Sequence, residues 1–346
     1  MNAIIRMSRR QGLAVTAAMA LLACGVAPRA LAQAPIVIKF SHVVAVDTPK
    51  GKAAAFFAKR AEELTRGRVK VEVYPNSQLY KDKEELEALQ LGSVQMLAPS
   101  LSKFAPLGVK EFEVFDLPFI FDDYAELHRV TQGPVGQSLL GKLEARGITG
   151  LAYWDNGFKV FTANKSLKSV ADYQGLRMRI QSSKVLVAEM RALGAEPQVL
   201  AFSETYQALQ TGMLDGTENP PSNLYTQKMY EVQKHLSVTN HGYLGYALVV
   251  NKKFWDGLPK EIRDHLRQAI IEATKVANDH AFVANRDALA SVKASGKTTI
   301  YTPTPEERQA LKKALVPVHQ QMTSRIGEET LKAIYKETGF NPASTP

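Results

Sequence analysis

Leu176-Arg177-Met178-Arg179-Ile180 alternates with the two-residue period of a β-strand, which puts Arg177 and Arg179 on one face and the three apolar residues on the other. A guanidinium at a strand end offers two parallel N–H donors, the geometry that grips a carboxylate, and Gln181-Ser182-Ser183 follows at once with further polar groups. On spacing alone, a solvated strand face fits the same pattern. Thr48-Pro49-Lys50-Gly51 sets a lysine at a helix start, where free backbone N–H groups and the helix dipole favour an anion, although lysines most often face solvent. Asp215-Gly216-Thr217-Glu218-Asn219-Pro220-Pro221 is dense in residues that bond their own backbone and reads locally as a turn-rich loop. Phe202 and Tyr243 fit either a pocket wall or the core.

These groups suit the capture of an anion better than its conversion. The sequence has no Gly-x-Gly-x-x-Gly after a strand, no complete phosphate loop Gly-x-x-x-x-Gly-Lys-Ser/Thr, no His-Glu-x-x-His and no Gly-x-Ser-x-Gly elbow. The seven histidines lack metal-ligand spacing, so neither a metal nor a cofactor is expected. Cys24 is the one cysteine and falls in a segment expected to be removed, which excludes it as a mature nucleophile. No enzyme is therefore expected.

The elements that must carry these residues follow from periodicity. From Pro35 to about Trp154, short β-rich runs alternate with amphipathic stretches, which predicts βαβ units around a mainly parallel sheet. Strands are expected over Ile36 to Phe40, Val69 to Val73 and Val94 to Ala98. Helices are expected from Pro49, capped by Thr48 and stopped by Gly67, and over Asp82 to Gln90. A second set predicts strands at Leu176 to Ile180 and Pro197 to Phe202. It predicts helices at Val185 to Leu193 and from a Ser203 cap to Gly212. Pro259 to about Lys293 reads as one long helix with Ile262, Leu266, Ile270, Ala273 and Ala277 on one face, long enough to run along two lobes.

The first residues read as an address. Arg6, Arg9 and Arg10 precede an acid-free apolar run from Gly12 to Val26, and small residues follow at Ala30, Ala32 and Ala34, so a signal peptide over residues 1–34 is expected, cleaved after Ala34. Leu21-Leu22-Ala23-Cys24 offers a rival lipobox reading in which Cys24 is lipidated, and Arg9-Arg10 faintly resembles a twin-arginine signal. The formal charge of +9 includes four leader arginines and no leader acid, leaving about +5 on the mature chain. That excess suits anionic ligands. Without a basic stripe or aromatic platform it does not indicate nucleic acid.

Taken together, a series of segments resembles the substrate-binding proteins of TRAP transporters, in particular the DctP-type dicarboxylate binders. The first matches are Ser41-His42-Val43-Val44 with Thr48-Pro49-Lys50-Gly51, then Val73-Tyr74-Pro75-Asn76-Ser77-Gln78-Leu79 and Phe115-Asp116-Leu117-Pro118-Phe119. They continue through Leu176 to Ser182, Ala201-Phe202-Ser203-Glu204, Ala208-Leu209-Gln210-Thr211-Gly212, Asp215-Gly216 with Glu218-Asn219-Pro220, and Asn240-His241-Gly242-Tyr243. The resemblance covers nearly the whole mature chain.

It implies an α/β, two-lobed periplasmic-binding-protein-like fold with a hinge and a long lobe-spanning helix. Lobe I is expected over 35–156 plus 245–284, and lobe II over 157–244 plus 285–346. By resemblance, Arg179 matches the arginine that forks onto the ligand carboxylate, Asn219 the asparagine that bonds the same carboxylate, and Phe202 the aromatic beside that arginine. Lys159 falls where sialic-acid-binding relatives carry a second arginine. A lysine lacks that planar fork, which argues against sialic acid but leaves a point charge for the second carboxylate of a diacid. Lys50, Ser100, Ser102 and Tyr243 are further pocket candidates from matched segments, and His42 stays open between pocket and structure. The implied protein is a periplasmic monomer that captures a C4-dicarboxylate, or another small carboxylate such as a monocarboxylate or 2-oxo acid. It hands that ligand to the small and large TRAP permease components.

Overall fold

The computed structural model describes residues 34–344; residues 1–33 of the expected leader, with Arg9-Arg10 and the lipobox Cys24, lie outside the described residues. Two β-sheets organise the chain into a two-lobed α/β fold. The first has the order β2-β1-β3-β10-β4, built from β1 (Ile36–Ser41), β2 (Val69–Tyr74), β3 (Met96–Leu97), β4 (Ile148–Phe158) and β10 (Tyr243–Asn251). The second runs β11-β9-β5-β8-β6-β7. Its strands are β5 (Val160–Ala163), β6 (Arg177–Ile180), β7 (Glu196–Val199), β8 (Gly216–Asn219), β9 (His235–Ser237) and β11 (Thr299–Tyr301).

Local chemistry accounts for the first βα unit. Alternation along β1 buries Ile38 and Phe40 against Ala53, Ala54, Phe57 and Ala61 of the helix Pro49–Leu64. Thr48 caps that helix by accepting the Gly51 N–H at 3.1 Å, and Pro49 occupies the first turn, where its missing N–H costs nothing. Gly67 then turns the chain at φ 77°, a left-handed conformation that glycine adopts without a Cβ clash.

The helix Lys260–Ser295 has 36 residues, about 54 Å at 1.5 Å per residue. Its expected apolar face, Ile262, Leu266, Ile270, Ala273 and Ala277, is buried in the core of the first sheet. The helix stops at Gly296, and the next strand, β11, belongs to the second sheet. The chain thus passes between the sheets at three places: between β4 and β5, between β9 and β10, and at the end of this helix.

Four expectations are corrected. The first sheet is mixed: β1 pairs parallel with β2 and β3, but β10 runs antiparallel to both β3 and β4. The cause is that β10 arrives from late in the sequence, beyond any local βαβ pattern. The helix expected from Asp82 starts only at Glu85, leaving Asp82 in the preceding turn, and Ser203 caps nothing because Phe202–Glu204 forms a separate 3-10 turn before the helix Thr205–Gln210. The segment read as a loop after Asp215 is instead β8, paired on both sides by β5 and β6 and fully buried. Pro220 and Pro221 then open the helix Pro221–Thr226.

Candidate functional site

The ends of β6 and β8 face the first sheet across a cavity. The second lobe lines it with Arg179, Phe202, Asn219 and Asn223, and the first with Lys50, Asp82, Glu85, Ser100, Lys103 and Tyr246. The lobes also touch beside it: Asp82 Oδ1 accepts the Phe202 N–H at 3.2 Å, and at the rim Lys81 pairs with Glu204 at 2.7 Å.

The register β6/β8 pairs Arg179 with Thr217, so Arg179 and Asn219 project from the same face of the sheet. Arg179 is 1% exposed. Its Nε donates to the Leu200 carbonyl at 3.0 Å, and its guanidinium lies 5.7 Å from the centre of the Phe202 ring. Nη2 has no hydrogen-bond partner in the protein and lies 3.8 Å from Asp82 Oδ2, too far for a hydrogen bond. Burial lowers the guanidinium's pKa, opposed by Asp82 and Glu218. The Asn219 Oδ1 accepts from Asn223 Nδ2 at 3.2 Å, while its own Nδ2 donates to nothing in the protein. Two buried donor groups therefore converge on one cavity with donor capacity to spare, a state that costs free energy until an acceptor arrives.

The opposite wall is charged. Lys50 Nζ donates to the Ala98 carbonyl at 2.8 Å and sits 3.7 Å over the Tyr246 ring; burial pulls its pKa down to about 8, with Glu85 and Asp82 opposing. Burial pushes Glu85 up to about 7. Lys103 Nζ lies 2.6 Å from Asp82 Oδ2. Burial disfavours the Asp82 carboxylate, but Lys103 and Arg179 outweigh it and hold the acid below its ordinary pKa.

Of the residues singled out from sequence, Arg179, Asn219, Phe202, Lys50 and Ser100 line this cavity. Lys159, Ser102 and Tyr243 do not. Each is turned toward a buried acid that needs a partner: Lys159 forms an ion pair with Glu218, Ser102 donates to Asp116 at 2.7 Å, and Tyr243 donates to Asp155 at 2.8 Å. Strand alternation explains the last case, because Leu244 and Tyr246 of β10 face the cavity while Tyr243 points to the other side. His42 is fully buried beside Phe40 and is not part of the lining, and burial, with Lys50 second, lowers its pKa to about 3.

Behind β8, Lys159, Glu218, Glu189, Asp116 and His241 form a buried charge cluster. Burial raises Glu189 to about 8 and Asp116 to about 7. Burial also works to raise Glu218, yet the Lys159 ammonium and the His241 ring overcome it and keep that acid ionised. The ion pair Lys159–Glu218 thereby anchors the strand whose next residue is Asn219.

Sequence reasoning missed Asp82, Glu85, Lys103, Tyr246 and Asn223. Asp82 and Glu85 stand in Lys81-Asp82-Lys83-Glu84-Glu85, which has the look of a solvated charge run, and only the fold turns those two inward. Asn223 carried a usable signal, since it stands just inside a proline-started helix that follows directly on Asn219.

The family model for bacterial extracellular solute-binding protein, family 7 (DctP) matches residues 40–326. A relative from Rhodobacter capsulatus, named C4-dicarboxylate-binding periplasmic protein DctP, is 66% identical over 304 residues, covering 88% of this chain and 91% of its own. Among solved structures, a TRAP periplasmic solute binding protein from Sulfurospirillum deleyianum with bound succinate has TM-score 0.84 and 48% identity, covering 87% of this chain and 98% of its own. One from Pseudomonas aeruginosa with bound L-malate has TM-score 0.81 and 46% identity, covering 83% and 100%.

Proposed function

Because the chain belongs to family 7 of the bacterial extracellular solute-binding proteins, the DctP family, we propose that it captures a C4-dicarboxylate of the succinate, malate or fumarate class between its two lobes. The family is one of extracellular solute-binding proteins rather than enzymes, and the Rhodobacter capsulatus relative is named a periplasmic protein. Among the described residues no helix is long and apolar enough to cross a membrane. In this reading, residues 1–34 are a leader cleaved after Ala34, and the mature protein hands its ligand to the small and large permease components of a TRAP transporter. Lobe I comprises 35–156 plus 245–284, and lobe II 157–244 plus 285–346. The three chain passages between the sheets serve as the hinge.

The observation that carries the proposal is the convergence of Arg179 Nη2 and Asn219 Nδ2, two buried donors without hydrogen-bond partners in the protein, on one cavity between the lobes. One ligand carboxylate forks onto Arg179 and accepts from Asn219, and closure removes water from the charge pair. A buried arginine without its partner is penalised, so ligand shifts the population toward the closed form.

A thermal-shift screen of mono-, di- and 2-oxo acids tests the ligand class, because a bound ligand raises the unfolding midpoint by mass action. Stabilisation by C4-diacids above all others is expected, and the best compound should be recovered unchanged by mass spectrometry. Stabilisation by monocarboxylates or 2-oxo acids alone would overturn the diacid reading, and consumption of the ligand would overturn the binding role.

A further inference from the structure

The wall opposite Arg179 holds a second charged feature that the carboxylate clamp does not use. Asp82 Oδ2 stands between two cations from different lobes, 2.6 Å from Lys103 Nζ and 3.8 Å from Arg179 Nη2. Laid end to end those distances put the two cations no more than about 6.4 Å apart, within reach of one small molecule. Lys103 is 5% exposed and lines the cavity. Among the described residues Asp82 is its one ion-pair partner, which leaves N–H donors of the ammonium free for a ligand.

The charges of the lining support the same point. Three cations, Lys50, Lys103 and Arg179, face two acids, Asp82 and Glu85. Glu85 is driven toward its neutral form by burial, whereas Asp82 is held ionised by the cations on either side. With Glu85 protonated the cavity carries two net positive charges, which a dianion neutralises and a monoanion leaves half unbalanced in a water-poor space.

Building on the proposed function, we propose that Lys103 is the residue that selects a diacid over a monoacid. Its ammonium binds the carboxylate remote from Arg179, and Asp82 positions it there. The pair is a subsite for the second acid group. Lys159, sealed behind β8 by Glu218, does not form it.

The test compares succinate with monomethyl succinate by calorimetry on the mature protein. Lys103→Met keeps the apolar stem and removes the charge, and the ratio of the two affinities should fall roughly 30-fold or more. Lys103→Arg should retain the preference. The double variant Lys103→Met/Asp82→Asn carries the same net charge as wild type and leaves no unpaired acid, and it should still lack the preference. An unchanged ratio in Lys103→Met, an equal loss for both ligands in a variant that still folds, or restored preference in the double variant would each overturn the assignment. Succinate binding by wild type with an unchanged Lys103→Met ratio sinks the subsite alone; no binding of any C4-diacid by wild type sinks the proposed function and the subsite with it.

Discussion

Removing the Arg179 side chain is the perturbation whose consequence is most directly calculable. Arg179→Ala deletes the fork on which the ligand carboxylate is proposed to rest, and it does so inside a site where the guanidinium is already stripped of water. Truncating one partner of a buried, hydrogen-bonded charge pair costs about 2–5 kcal/mol, which corresponds to roughly 30- to 5,000-fold in Kd. The lower end applies if Lys103 and Asn219 keep the ligand in place, since both face the same cavity. Arg179→Lys separates charge from geometry. It restores a cation but not the planar pair of donors, nor the Nε bond to Leu200, so its Kd should remain at least about tenfold weaker than wild type. Calorimetric titration with succinate reads both variants, and thermal unfolding without ligand verifies that each is folded. A folded Arg179→Ala protein with wild-type succinate affinity would refute the reasoning.

Affinity for a dianion should fall as pH rises from about 6 to 9, because Glu85 ionises near 7 and Lys50 loses its proton near 8, and both changes remove positive charge from the lining. Glu85 is faced by Lys50, Asp82 and Lys103, so Glu85→Gln should abolish the earlier part of that fall; an affinity that rises over this range contradicts the electrostatic account. Lys159→Met should lower stability by roughly 3–5 kcal/mol in urea unfolding, since it leaves Glu218 as an uncompensated buried charge, while the diacid-to-monoacid ratio of the folded protein stays within about threefold of wild type. Intact-mass analysis of protein exported from a bacterial host should find Pro35 as the first residue; a lipidated Cys24 would replace the cleavage reading with membrane anchoring.

What could be read from sequence was whatever depends on local periodicity. Alternation in Leu176 to Ile180 separated the buried Arg179 from its apolar neighbours, and the 3.6-residue recurrence of Ile262, Leu266, Ile270, Ala273 and Ala277 gave the long helix its core face. The same alternation misled at Arg177, which shares Arg179's face but sits at the partly exposed start of β6 and pairs with Asp215 at 2.8 Å. Long-range pairing was illegible. Nothing near Gly216 to Asn219 signals a central strand, because the four residues are polar or small and owe their burial to β5 and β6 on either side. The opposite wall of the cavity failed for a related reason. Asp82 and Lys103 are ordinary surface types, brought inside by pairing with each other and by Arg179 arriving from about a hundred residues away in the sequence.

A crystal structure of the mature protein with succinate tests the central claim most directly. One carboxylate should lie forked across Arg179 with Asn219 Nδ2 donating to it, and the other should lie within hydrogen-bond reach of Lys103. Succinate bound elsewhere, or in the same cavity without touching the Arg179 guanidinium, would contradict the account.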